Sequence, residues 1–525
     1  MFYQGGEKLI VASLIFTFFL SLYLFFYYAN FFQKQYYNLS RFLKLVQEKF
    51  HFHFTRFVWF VLFITITFLP HFFQGMIWIK WILILPLSWL VYYRKINDKI
   101  IPFKITKRIK RMIIQYSISY ALFAFILLLL KANAEWIPLL YRLCFGIFFI
   151  LTCLINQGFE KILQWHYKKK AKRKLQKCLN LKTIGITGSF GKSSTKFYTK
   201  QILEQSYSIC CSPKSYNTLN GLLITINQQL HLSHQILLLE LGIDQVKGMN
   251  KYIRFFDFDI ACVTSIGMQH LSTFKTIENI ESEKIKLLQH LKPYQTAIIN
   301  LDDPRIVSHL DEIQAQKITI SSTKKADIYA TDIQIKATGT SFTLHLFNQI
   351  YPLKIRILGR HHMNDLLMAI AIAKVLQMED EKILKRLKTI KNLEHRLELK
   401  KEGLWQIIDD SYNSNFNGFK EALAVLKTAS TKKILITPGL IELNDLNHEI
   451  NQKLASEIKK SCDFVALIGA NSFSIYKQLI QEKYPKKNIE QFQTYLEAWS
   501  YLKNNFIDQK ITILIENDLP DTYLK

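Results

Sequence analysis

The segment T-I-G-I-T-G-S-F-G-K-S-S-T, residues 183–195, constrains the fold more than any other stretch of the chain. A short β-rich run ends in a glycine turn, and an amphipathic run follows to about residue 205. Strand, glycine loop and helix in that order make a phosphate-binding unit, and the alternation that continues after it predicts a parallel α/β architecture. Gly188 and Gly191 let the backbone approach phosphate oxygens, while N–H groups and the helix dipole favour the anion. Lys192 supplies a point charge for β- and γ-phosphates, and Ser193 offers a hydroxyl to Mg²⁺. Thr187, Ser189 and Ser194 complete the expected ATP-binding loop. The spacing G-x-x-G-K-S is shorter than the general G-x-x-x-x-G-K-[ST] pattern, so the loop is a special variant. A chance glycine turn is the plain alternative, and the flanking strand and helix argue against it.

The first third has a different character. Residues 9–32 carry no charge, and further apolar runs cover 57–73, 76–93, 113–130 and 136–155. Read as spans of about 20 residues each, these predict a transmembrane bundle of five helices over residues 1–155. Lys and Arg crowd into 33–56, 94–112 and 161–177, so the N-terminus is expected outside and everything after 155 in the cytoplasm. Residues 1–182 hold a net +21 of the chain's +27. Basic membrane-flanking loops explain that excess, and nucleic acid is not an expected partner. Lys80 and Arg142 fall inside expected spans near the outer face, where snorkelling is the plain reading and a polar site for a lipid-linked substrate the sharper one. The stretch 161–177 is expected to rest against anionic headgroups, which makes membrane lipid a partner. The seven cysteines are scattered with no C-x-x-C, which fits a reducing compartment.

Further motifs follow the phosphate loop in a fixed order. They are S-P-K-S-Y-N-T-L-N-G (212–221), L-L-L-E-L-G (237–242), V-T-S-I-G-M-Q-H-L (263–271), I-E-S-E-K-I-K-L-L (280–288), N-L-D-D-P (300–304), L-G-R-H-H-M-N-D (358–365), E-H-R-L-E (394–398) and I-I-D-D-S-Y-N-S-N (407–415). Together they resemble the Mur ligases, which join amino acids or peptides to cell-wall precursors; the resemblance covers about 183–525. It implies a P-loop central domain over 183–392 and a Rossmann-like C-terminal domain over 393–525, after a basic connector at 156–182. It also implies Glu240, His270 and a carbamylated Lys284 as metal ligands beside Ser193, with Lys192, His270 and Lys284 in catalytic roles. His361, Arg396 and Asp410 are expected at ATP, and Ser215, Asn217, Thr218, Tyr412, Asn413 and Asn415 at the substrate. From the residues alone, His270 would read as a packed or surface histidine and the asparagines as turn formers.

The D-D-S-Y-N stretch is typical of the member that adds D-alanyl-D-alanine to a muramoyl-tripeptide. The implied reaction couples a precursor carboxylate to an amino-acid or dipeptide amine with ATP and Mg²⁺. Two departures stand out. The family's H-N-x-x-N reads H-H-x-x-D here, with His362 and Asp365 replacing asparagines in a region that meets adenine. The connector before the phosphate loop is too short for the domain that holds the UDP group in the family, which leaves open whether the acceptor is UDP-linked, lipid-linked or otherwise changed. A poly-γ-glutamate-synthase-like ligase is the alternative, and a transport ATPase a third.

Overall fold

A computed structural model describes residues 18–48 except 20, 23, 36 and 38, and then 103–129, 136–213, 216–269, 271–412, 416–440 and 447–516. The chain divides into two compact units, 1–165 and 166–525.

In the first unit, α1 (Lys107–Leu129) and the start of α2 (Trp136–Lys177) are the long helices. Its core is aromatic: Phe25 meets Tyr116 at 4.9 Å and Phe149 at 5.7 Å between ring centroids. Such tilted and edge-on rings add attraction beyond area burial. Among the described residues, one helical stretch, Phe145–Lys177, is long and apolar enough to cross a membrane, with mean hydropathy 1.4. The expected five-helix bundle is therefore not established. Its spans at 57–73 and 76–93, with Lys80, lie outside the described residues, as does part of 9–32. The side chain of Arg142 is likewise not described. The basic connector expected at 156–182 is mostly helical. Residues 156–177 continue α2 without a break, because Lys, Arg, Gln and Leu are good helix formers and no proline interrupts them.

The second unit contains two sheets. In the first, the strands are β1 (Lys182–Thr187), β2 (Ile209–Cys211), β3 (Ile236–Glu240), β4 (Ile260–Val263), β5 (Thr296–Asn300), β6 (Gln316–Ser321), β7 (Ile328–Lys336), β8 (Gly339–Leu346) and β9 (Gln349–Ile355). Their order is β2-β3-β1-β4-β5-β6-β7-β8-β9. Pairing is parallel through β7 and antiparallel beyond it. Alternate residues serve opposite faces, as a pleated strand requires. Ile236 and Leu238 join one core layer and Leu237 and Leu239 the other. The helices over these faces include α3 (Lys192–Leu203), α4 (Leu219–Gln229), α5 (Ile277–Gln289) and α6 (His361–Val375). The last is apolar almost all round, and Leu366 through Ala373 are fully buried between α3 and the sheet. The end of α2 packs Ala171, Leu175 and Cys178 into the layer that holds Leu222 and Ile226 of α4.

The strand order reverses beside β1: the chain leaves towards β2 and β3 and returns on the other flank at β4. Ligands of open α/β sheets bind at such a switch point, outside the carboxyl ends of the strands. The second sheet runs β10 (Glu398–Glu402), β11 (Trp405–Asp410), β15 (Ile511–Glu516), β12 (Lys432–Thr437), β13 (Phe464–Ile468) and β14 (Ile489–Phe492), parallel except for β10. Strands expected at 404–409, 432–437, 463–468 and 510–515 are thus present within one residue, and β10 and β14 are additions at the two edges. Helix α7 (Phe416–Lys427) packs against β15.

Candidate active site

The phosphate loop leaves β1 through Thr187, whose buried hydroxyl donates to the Leu241 carbonyl (3.1 Å). Ser189 ties the loop to the segment after β4: its N–H donates to Ser265 O (2.7 Å) and its hydroxyl to Gly267 O (2.8 Å). Gly191 sits at φ +84°, in the left-handed region that favours glycine, and immediately precedes α3. A Cβ there would lie 2.2 Å from Asp365 Oδ1. Lys192 folds back on its own loop, donating to Gly188 O (2.7 Å) and Ser189 O (2.9 Å). Burial pulls its ammonium down to about 8, and Arg396 adds to this while Glu240 and Asp365 oppose it. Ser194 carries a buried hydroxyl with no hydrogen-bond partner among the described residues.

Below the loop, Glu240 ends β3 with 1% of its surface exposed. Its carboxylate accepts from Ser193 Oγ (3.0 Å to each oxygen) and from Asn217 Nδ2 (3.2 Å), and it pairs with Lys196 Nζ at 3.0 Å. Lys284, on α5, reaches across 96 positions to donate to Gly188 O at 2.8 Å. Burial, then the neighbouring Lys192, pull its amine down to about 7. It is therefore substantially neutral at neutral pH, the form that can attack CO₂ to give a carbamate. Serine hydroxyl and carboxylate are hard oxygen donors that suit Mg²⁺, so Ser193 and Glu240 fit that ion. Lys284 fits it only as a carbamate. His270 lies outside the described residues.

On the opposite wall, Asp365 of α6 accepts from Thr195 Oγ1 (3.1 Å), and His362 Nδ1 lies 3.4 Å from its other oxygen. His361 points elsewhere: its Nδ1 meets Glu421 of α7 at 2.5 Å. Arg396 lays its guanidinium over the Tyr412 ring, 4.6 Å from the centroid, and its Nε has no partner among the described residues. Asp410 ends β11 in register with Glu516 on β15. Burial pushes its carboxyl up to about 6, against His361, the Leu397 N–H, Arg396 and a hydrogen bond with Glu516. Asp409, by contrast, is engaged by Lys400 (2.6 Å), His395 (2.9 Å) and Ser411 (2.6 Å).

Of the expected ATP and metal residues, the structure brings Thr187, Gly188, Ser189, Gly191, Lys192, Ser193, Ser194, Glu240 and Lys284 to one locus. Thr218 has a local task, capping α4 by accepting from Gly221 N. Asn217 instead joins the Glu240 cluster through its side chain. Ser215, Asn413 and Asn415 lie outside the described residues. Lys196 and Thr195 were not singled out by sequence reasoning. Both sit in the first turns of the helix after the loop, which was the available signal.

Comparison with known proteins settles what this loop belongs to. Residues 186–373 match the Mur ligase middle domain. The chain carries a Mur ligase middle domain. Relatives include a UDP-N-acetylmuramoyl-tripeptide–D-alanyl-D-alanine ligase of Buchnera aphidicola, 29% identical over 348 residues, covering 65% of this chain and 75% of the relative. A ligase of the same name from Bacillus subtilis is 27% identical over 291 residues, covering 55% and 62%. A MurF crystal structure from Acinetobacter baumannii superposes with a TM-score of 0.62 at 22% identity, covering 68% of this chain and 78% of the other. A MurF ligase of Thermotoga maritima in complex with ADP gives 0.58 at 20%, covering 67% and 80%. The second unit has the fold of the Mur ligase structures, and the chain is an ATP-dependent, amide-bond-forming ligase.

Proposed function

We propose that the chain is a membrane-anchored ligase that joins a carboxylate of a muramoyl-peptide cell-wall precursor to D-alanyl-D-alanine or a similar amine, inside the cell. The observation that carries this reading is the cluster of Ser193 and Asn217 on the buried Glu240–Lys196 pair directly under the phosphate loop, with Lys284 at the same loop. The D-alanyl-D-alanine ligases among the relatives support the choice of amine.

In the proposed chemistry, a carboxylate oxygen of the acceptor attacks the γ-phosphorus of ATP, and ADP leaves. The acyl phosphate is then attacked by the amine, an amide forms, a proton is lost and phosphate departs. Lys192 exchanges its two loop carbonyls for phosphate oxygens, whose negative charge holds the buried side chain as an ammonium. Arg396, with an unpaired Nε, takes charge from the γ-phosphate as it moves. Bound Mg²⁺ at Ser193 and Glu240 supplies charge neutralisation for phosphoryl transfer. Closure of a C-terminal domain (393–525) on a central one (183–392) keeps water from the acyl phosphate. Asp410, Tyr412, Asn413 and Asn415 would come from the C-terminal side.

Anchoring rests on the apolar stretch of α2, where Ile147, Leu151, Leu154, Ile155 and Phe159 are exposed. A groove of about 540 Å³ lined by His166, Lys169, Lys170, Arg173, Lys174 and Lys177 follows, and suits anionic headgroups.

The test is phosphate release by detergent-purified protein with ATP, Mg²⁺, UDP-N-acetylmuramoyl-tripeptide and D-alanyl-D-alanine. Release that needs both substrates, yields an amide by mass and disappears in Lys192→Ala supports the reading. Release with glutamate alone or only with a lipid-linked acceptor overturns the substrate assignment and keeps the ATP chemistry.

A further inference from the structure

We propose that this enzyme binds its nucleotide together with one proton, which is taken up by the Asp365 carboxylate packed against the phosphate loop. The inference rests on the reading of that loop as the nucleotide site. Asp365 Oδ1 lies so near Gly191 that a single added carbon there would be 2.2 Å away. The residue is 5% exposed, at the start of the second turn of α6, which packs along α3. Among the described residues its close donor is the Thr195 hydroxyl at 3.1 Å, and His362 Nδ1 stands at 3.4 Å. An anion held by the 188–193 backbone therefore shares a few ångströms of low-dielectric space with this carboxylate. At ~6 Å and an effective dielectric constant of about 20, the repulsion of two unit charges is worth about a hundredfold in affinity. A proton on Asp365 removes it. The protonated carboxyl also has the shape of the asparagine amide found here in the motif this segment resembles, and it can donate as that amide does.

The surroundings agree. Burial pushes the Asp365 carboxyl up to about 7, while His361, the Thr195 hydroxyl, Arg396 and Lys192 pull the other way. The other ionisable groups facing it are the His362 imidazole, held neutral by burial, then by His361 and Arg396, and the Tyr198 phenol and Cys262 thiol, both pushed up by burial first and then by Asp365. Besides His361, Lys192 and Arg396 are the cations that favour the charged form. A nucleotide competes with Asp365 for both, which drives the carboxyl further towards protonation.

The experiment is calorimetric titration of the full chain in detergent with ADP at pH 7.0, 7.5 and 8.0, in buffers of different ionisation heat, comparing wild type with Asp365→Asn. We expect wild type to take up more protons per ADP than the variant. Its Kd should also rise with pH more steeply, by up to about tenfold per unit above pH 7. Titration of ADP is common to both proteins and cancels in the difference, whereas loss of the Asp365 charge lowers the Lys192 ammonium further and adds proton uptake to the variant, which makes a wild-type excess the stricter result. Thr195→Val removes the hydroxyl that favours the carboxylate, so it should move the onset of the affinity loss to higher pH even if Asp365→Asn folds poorly. Equal proton counts and equal slopes in wild type and Asp365→Asn, or an onset unmoved in Thr195→Val, would overturn the proposal while leaving the nucleotide site intact. Failure of wild type to bind ADP at any of these pH values would overturn the nucleotide reading itself.

Discussion

The Glu240–Lys196 pair is the most demanding electrostatic element under the phosphate loop. Glu240 is 1% exposed and Lys196 6%, and their charged atoms are 3.0 Å apart. Breaking a buried pair by neutralising one partner costs about 3–5 kcal/mol, because the other charge is left without compensation. Glu240→Gln keeps an acceptor for Ser193 and Asn217, and Lys196 keeps the Ser212 carbonyl at 3.1 Å, so the lower end applies, about 3 kcal/mol. At about 2–4 °C per kcal/mol for a domain of this size, the melting transition falls by about 6–12 °C. Lys196→Met should fall comparably. The double variant should lie within about 1 kcal/mol of wild type, since no lone charge remains. Urea unfolding of the four proteins closes a double-mutant cycle with a coupling of about 5–7 kcal/mol. A coupling below about 0.5 kcal/mol would show that the two charges do not depend on each other, and the account of the cluster would be wrong.

Gly191→Ala places a side chain at a left-handed position, costing about 1–2 kcal/mol before its collision with Asp365; ATP affinity should weaken at least about tenfold by calorimetry. Lys284→Met should lose ligase activity and yet match or exceed wild type in stability at pH 7 in bicarbonate-free buffer. The Lys284 amine is held below its unfolded value, so the native state binds fewer protons than the unfolded chain between about 7 and 10.5. Wild type should therefore gain on the variant as pH rises through that window, which urea midpoints will read. Added bicarbonate should raise wild-type activity, because the neutral amine is available for carbamylation; an unchanged rate with bicarbonate would count against that role. Asp302, lowered to about 2 despite burial by donors from Ser321, Ser322 and Thr323, contributes stability present above 3.8 and lost as pH falls through about 2. Asp302→Ala should cost about 1 kcal/mol at pH 7 after allowance for its partial exposure, with the gap closing between pH 4 and 2.

What the sequence made legible was the chemistry confined to contiguous residues. The phosphate loop spans Thr187 to Ser194, and backbone geometry plus one lysine define it without knowledge of the rest. The strands of the second sheet were legible where apolar runs of five or six residues stand alone. Edge strand β10, with the sequence E-L-K-K-E, was not, because its pairing to β11 depends on a partner rather than on its own pattern. Contacts across the fold were hidden for the same reason. Asp365 and Thr195 are 170 positions apart, and His361 finds Glu421 60 positions later. Thr218 adds a local role that the motif did not suggest: a polar residue in a substrate-like motif also has the spacing of a helix cap, and the structure shows that cap. In the N-terminal third, hydropathy counts apolar residues without saying which of them meet one another. Phe25, Tyr116 and Phe149, each from an expected span, form an aromatic core instead of leaving all faces for lipid.

The placement of β1 has a consequence for biosynthesis. It is the middle strand of its neighbourhood, buried over Thr183–Thr187, and its partners β3 and β4 come later in the chain. About 76 residues separate its end from the end of β4. At about 5–20 residues per second, a ribosome needs about 4–15 s to supply them. During that interval a sticky, unpaired strand trails directly behind a lysine- and arginine-rich helix. A nascent chain arrested near residue 210 should therefore be a chaperone client, and one arrested beyond residue 300 should have shed it.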